Sequence, residues 1–184
     1  MQDLSPIGWA LRPLKNYAKF SGRASRAEFW WFFLFMMIVY MVVWFILIGT
    51  IGLSAASGSQ NPMAMFGAFG VMGIFLVLFY LALLIPTIAV QIRRLHDTNR
   101  SGWWLGAFWL LYIVYMVATF GMAFSARPGS QPPSLAGAGI MMAVGLAFFV
   151  YSIVLLVFFC LRGTQGANRY GDDPYGADMS QVFA

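Results

Sequence analysis

The densest group of ionisable side chains in the sequence is Arg93–Trp104, RRLHDTNRSGWW. Its residue types can support three kinds of chemistry. His96 beside Asp97 can serve as general acid and base, with Arg93, Arg94 and Arg100 holding a phosphate. The carboxylates Asp97, Asp172 and Asp173 can hold Mg²⁺. The arginines can also bind an anion with no reaction at all. The first two readings are weak. The chain has 1 His, no nucleophile is visibly paired with a base, and the nearby Ser and Thr residues read as caps and turns. Zinc needs three or four N or S ligands, which His96 and the single Cys160 do not supply, and the surrounding arginines oppose a divalent cation. No catalytic residue, metal site or cofactor is assigned.

The elements that position this stretch are dictated by hydropathy. Phe29 to Ile92 contains no Lys, Arg, Asp, Glu or His, and Ser101 to Leu161 contains one charge, Arg127. Hydrophobic residues make up 61% of the chain and charged ones 9%, against roughly 25% charged in soluble domains. So few charges cannot cover a surface in water. Apolar runs this long are spanning helices in a bilayer, where each segment must satisfy its own backbone hydrogen bonds. The expected fold is all-α: a single polytopic membrane domain, with four transmembrane helices in a bundle at 29–53, 65–90, 103–124 and 137–161. The single Cys excludes an internal disulfide. No cleavable signal peptide is expected, because the first 28 residues are polar and basic and the following apolar run is long enough to stay in the membrane.

An N-terminal interfacial amphipathic helix is expected over 5–20. Ser5-Pro6 supplies an N-cap and a first-turn proline. Arg12, Lys15 and Lys19 share one face. Ile7, Ala10, Leu11, Leu14, Tyr17 and Ala18 share the other, suited to the acyl boundary, although Pro13 interrupts the hydrogen bonding. Ser25-Arg26-Ala27-Glu28 matches a capping box ahead of the first spanning helix, so Glu28 reads mainly as a cap. Capping does not explain Arg23 and Arg26, since a cation opposes the dipole at a helix N-terminus. Pro86 should kink the second spanning helix. Gly102 and Gly106 form a GxxxG, and Gly67, Gly70, Gly73, Gly139, Ala143 and Ala147 are further small residues expected at helix contacts. The loops SAASGSQNPMA and SARPGSQPPSL are turn-rich, and 162–184 is a glycine-rich tail without the GK[ST] of a P-loop.

Basic residues set the orientation. Arg12, Lys15, Lys19, Arg23 and Arg26 precede the first span, Arg93, Arg94 and Arg100 follow the second, and Arg162 and Arg169 follow the fourth, against Arg127 alone on the other side. Both termini and the central hub are therefore expected in the cytoplasm. Trp30-Trp31 and Trp103-Trp104 mark the same membrane boundary. The net charge of +5 reports topology rather than nucleic-acid binding.

The three polar segments SGRASRAEFWW, RRLHDTNRSGWW and GxxGxNRYGDDP, in that order, resemble the bacterial inner-membrane family known as domain of unknown function 805. The resemblance covers nearly the whole chain. It implies a small polytopic inner-membrane protein and supplies no reaction, substrate or cofactor.

On the hub side, the bundle should gather Arg23, Arg26, Glu28, Arg93, Arg94, His96, Asp97, Arg100, Arg169, Asp172 and Asp173. Arg93 and Asp97 can pair at i,i+4 if the second helix reaches them. The favoured reading is structural and interactive. Arginines pair with Glu28 and the tail aspartates, and the remaining cations bind anionic lipid headgroups, a membrane-protein partner or a second copy. A small-solute transporter or oligomeric pore is the alternative, although no ionisable group lies within a span. An enzyme acting on a lipid or phosphate substrate is a second alternative.

Overall fold

The computed structural model describes residues 5–56, 62–125 and 135–174. Five helices follow in chain order: α1 (Pro6–Lys15), α2 (Arg26–Ala56), α3 (Pro62–Asp97), α4 (Trp103–Ser125) and α5 (Leu135–Cys160). Among the described residues there is no strand beyond one isolated bridge between Asn168 and Gly171. Four helices, α2 to α5, are long and apolar enough to cross a membrane. Most of the loop SARPGSQPPSL, with Arg127, lies outside the described residues.

The Ser5 side chain caps α1 by accepting from Gly8 N–H at 3.2 Å. The helix stops at Lys15, short of residue 20, because Asn16 turns back with both its N–H and its amide onto Arg12 O. The apolar face of α1 is divided: its middle is turned onto protein, while Ile7 and, just beyond the helix, Tyr17 and Ala18 are exposed. Ala10 and Pro13 are buried, Leu14 packs against the core, and the helix touches both α2 and α3. Tyr17 then donates to Ala82 O at 2.5 Å. That carbonyl has no i+4 partner, since residue 86 is proline and carries no N–H.

With 31 and 36 residues, α2 and α3 are about 46 and 54 Å long at 1.5 Å per residue. Both exceed a hydrocarbon core of about 30 Å. The start of α2 and the end of α3 meet the start of α4 and the end of α5, and there the core lies: Ala24, Phe29, Phe32, Met36, Val90, Leu95, Leu105, Leu155 and Phe159. Aromatic rings join the helices, with Phe29 and Phe159 at 4.6 Å and Trp104 edge-on to Phe158 at 5.1 Å. Toward the opposite ends side chains are exposed, including Trp44, Phe45, Val71 and Phe124. In a bilayer acyl chains solvate such faces, so no hydrophobic drive brings them together.

Small residues contribute less to helix contact than expected. At Gly102 a Cβ would stand 3.1 Å from Ile92 Cγ2, and at Gly145 3.6 Å from Tyr115. At Gly70, Gly73 and Gly139 it would meet nothing within 4 Å, and at Gly106 only Trp103 of its own helix. Ala143 and Ala147 are exposed, and the side-chain surroundings of position 67 lie outside the described residues. The α4–α5 pair relies instead on rings, Tyr115 and Phe108 against Phe148, and on Tyr151 donating to Trp104 O at 2.8 Å.

Candidate functional site

The site is assembled around the last turn of α3. The helix runs through Arg93, Arg94 and His96 and ends at Asp97, so these residues stand on helix rather than loop. Asn99 adopts a left-handed φ of 58°. Arg100 N–H returns to Leu95 O at 2.9 Å and Asn99 N–H to His96 O at 3.0 Å. These two bonds form a Schellman cap with asparagine in the glycine position. Other segments serve the remaining carbonyls of this turn. Ala24 N–H donates to Arg93 O at 3.0 Å and Thr164 N–H to Asp97 O at 2.9 Å. The Asn168 amide donates to His96 O at 3.0 Å.

Asp97 is fully buried, and two arginines from different directions occupy its oxygens. Arg23 reaches Oδ1 with Nε at 3.0 Å and Nη2 at 2.9 Å. Arg94, one helical turn back, bonds Oδ2. The same guanidinium groups also bind the chain that follows α5. Arg94 Nε donates to Phe159 O at 3.1 Å and its Nη2 to Leu161 O. Arg23 Nη1 donates to Gly166 O at 2.6 Å and its Nη2 to Thr164 O. A guanidinium at the carbonyl end of α5 also complements the helix dipole. The result is a clamp of one carboxylate, two cations and a bent backbone.

A second pair lies alongside. Arg93 Nη1 donates to Glu28 Oε1 at 2.7 Å, and Arg12 Nε stands 3.6 Å from Glu28 Oε2. Arg93 thus pairs across to α2, and the i,i+4 partnership with Asp97 does not form; Arg94 takes that carboxylate at i+3. Ser25 Oγ accepts from Glu28 N–H at 3.1 Å, as in the expected cap. The Glu28 carboxylate, however, is turned to the arginines. Nε and Nη2 of Arg93 are buried with no hydrogen-bond partner among the described residues.

His96 and Asp97 are adjacent but do not act on a common point. His96 Nδ1 lies 3.2 Å from Gly22 O; a carbonyl only accepts, so this nitrogen carries the proton. Its ring stacks on Tyr170 at 3.8 Å, 4° from parallel. Both oxygens of Asp97 are engaged by cations. Among the described residues no group of three His, Cys, Asp or Glu side chains is placed to hold a metal ion.

The other expected residues are more dispersed. Arg100 covers the Phe158 ring at 3.9 Å. Arg169 donates to Asn99 O at 3.0 Å and covers Tyr170, so it meets the hub through a carbonyl rather than an aspartate. Asp173 accepts from Gly166 N–H at 3.0 Å and stands 3.9 Å from Arg23. Asp172 and Arg26 are exposed. Residues not named as site candidates from sequence complete the site: Gly22, which marks a turn, Asn168 and Tyr170, which belong to the NRYGDDP motif, and Ala24 and Thr164. Of the signals that were present, Asn99 as a helix stop identifies the end of α3, and none in a single sequence marks Thr164.

Residues 17–172 match the family profile described as a protein of unknown function, DUF805. The chain belongs to this family. Two curated relatives from Escherichia coli strain K12 are similar across most of their length. Inner membrane protein YhaI is 33% identical over 166 residues, covering 90% of this chain and 94% of that protein. Inner membrane protein YhaH is 31% identical over 168 residues, covering 91% and 97%. No solved structure matches this DUF805 chain.

Proposed function

We propose that this chain is an inner-membrane protein, with both termini and the hub in the cytoplasm, whose exposed cations hold anionic lipid headgroups in an accessory or scaffolding role. The carrying observation is how its basic residues divide. Arg23, Arg93 and Arg94 have enclosed side chains and are engaged by Asp97, Glu28 and backbone carbonyls. Lys15, Lys19 and Arg162 belong to the same end of the molecule and are exposed. The first set ties the segments together, and the second presents positive charge at the level of the interfacial tryptophans. Each cation near an anionic surface contributes about 1 kcal/mol.

The test is native mass spectrometry of the full chain released from nanodiscs of mixed phosphatidylglycerol and phosphatidylcholine. Phosphatidylglycerol should be retained preferentially, and Lys15→Gln with Lys19→Gln should reduce that preference. Equal retention of the two lipids by the unaltered chain would sink the proposal.

A further inference from the structure

A cleft of about 490 Å³ runs between the end of α3 and the start of α4, beside the clamp. Ile88, Ile92 and His96 line its α3 side. They recur every fourth residue and so form one stripe of the helix, with Ile88 about 12 Å below His96 toward the membrane interior at 1.5 Å per residue. Gly102, Gly106 and Trp109 line the α4 side, and Tyr170 from the segment after α5 closes the top. Gly106 adds no side chain, and a Cβ there would meet only Trp103 of its own helix within 4 Å. The GxxxG spacing thus leaves this seam open at Gly106 rather than closing it. Among the lining residues there is no Lys, Arg, Asp or Glu.

The polar groups of the cleft stand together at one end. His96 Nδ1–H is held by Gly22 O, and Tyr170 fixes the plane of the ring. Nε2 is therefore an acceptor, and it forms no hydrogen bond among the described residues. Ser101 also lines this end. Its Oγ accepts from Trp103 N–H at 3.3 Å, which leaves its own O–H to donate. An acceptor beside a donor suits an alcohol, since a hydroxyl gives one hydrogen bond and takes others. The exposed Trp103 puts this end at headgroup level, and the apolar stripe descends from it. The volume falls within the roughly 300–1,000 Å³ of small-molecule sites. We infer that this cleft binds an uncharged glyceride, its glycerol hydroxyl donating to His96 Nε2 and its acyl chain lying along Ile92 and Ile88. The inference goes beyond the headgroup reading above, which concerns exposed cations on other segments, and does not depend on it.

The full chain in phosphatidylcholine nanodiscs is loaded with monooleoylglycerol, methyl oleate or oleate, and native mass spectrometry reads the bound fraction. Monooleoylglycerol should bind about fivefold more tightly than methyl oleate, which keeps the chain and the ester but has no hydroxyl; one neutral hydrogen bond supplies roughly that factor. Oleate should gain nothing from its charge. His96→Phe keeps a ring against Tyr170 but removes the acceptor, and it should bring the two esters level. Gly106→Leu, at an exposed position of α4, should weaken both esters with the melting midpoint unchanged. That variant locates the site whatever His96→Phe does to folding. Equal binding of the two esters by the unaltered chain, tighter binding of oleate, a hydroxyl preference that persists in folded His96→Phe, or undiminished binding in Gly106→Leu overturns the site.

Discussion

Gly163 stands directly against the carboxylate of Asp97: a Cβ built on this glycine would fall well inside van der Waals contact distance of the carboxylate oxygens. Glycine is required here by closeness, since its backbone is not among the left-handed glycines Gly22, Gly166 and Gly171. The chain leaving α5 crosses over the end of α3, and Thr164 docks on Asp97 O one residue later. Asp97 cannot yield, because Arg23 and Arg94 hold both its oxygens.

Gly163→Ala should therefore destabilise the fold by about 1–3 kcal/mol, the usual range for overpacking. Gly121→Ala is the matched control, since a Cβ there meets nothing within 4 Å. Thermal unfolding in detergent, followed by tryptophan fluorescence, compares them. A Gly163→Ala midpoint equal to the control would mean that the crossing is looser than described.

Removing the charge of Asp97 takes away the carboxylate that two enclosed guanidinium groups share. Asp97→Asn should lower stability by about 3–5 kcal/mol, as expected for breaking a buried pair from one side. Arg23→Gln should be milder, because Arg94 remains on the carboxylate. Limited proteolysis adds a local readout: the segment after α5 should become cleavable in Asp97→Asn. A resistant segment in that variant would show that Thr164 and Asn168 hold it without the clamp.

The Glu28–Arg93 pair permits a different experiment. Breaking it from one side, with Glu28→Leu or Arg93→Met, should destabilise strongly. Replacing both together should restore much of the loss, since a buried ion pair can often be exchanged for apolar groups of similar volume. The two buried nitrogens of Arg93 that find no partner among the described residues favour that result. Additive losses in the double variant would refute it.

Tyr17 and Pro86 are coupled through Ala82 O. Tyr17→Phe should destabilise by about 1 kcal/mol in the natural background. In Pro86→Ala the new N–H at residue 86 can satisfy the carbonyl, and Tyr17→Phe should become nearly neutral. A double-mutant cycle measures the difference directly. No coupling between the two positions would remove the role assigned to Tyr17.

Much of the architecture was legible residue by residue. The charge-free stretch from Phe29 to Ile92 requires spanning helices, the Ser25–Glu28 spacing supplies the cap of α2, and Ser5-Pro6 starts α1. The reach of α3 was harder to read. Arg93, Arg94, His96 and Asp97 are polar enough to suggest a loop, yet they continue the helix because Asn99, rather than the loss of hydropathy, terminates it. The small-residue contacts expected at Gly70, Gly73 and Gly139 are absent for a related reason. Glycine spacing permits a close approach but does not create a neighbour.

The sequence by itself determined that this chain has four helices long and apolar enough to cross a membrane, and that three polar segments stand close enough to interact. Those properties follow from local composition and periodicity, which each segment carries independently. Only the tertiary structure decided the partners: Arg93 with Glu28, Arg94 and Arg23 with Asp97, and Gly163 beneath them. Every arginine in the hub is chemically able to take any of these carboxylates. The choice among them depends on how far α3 projects, where Asn99 stops it, and at what angle the chain after α5 crosses it, all of which are relations between segments distant in sequence.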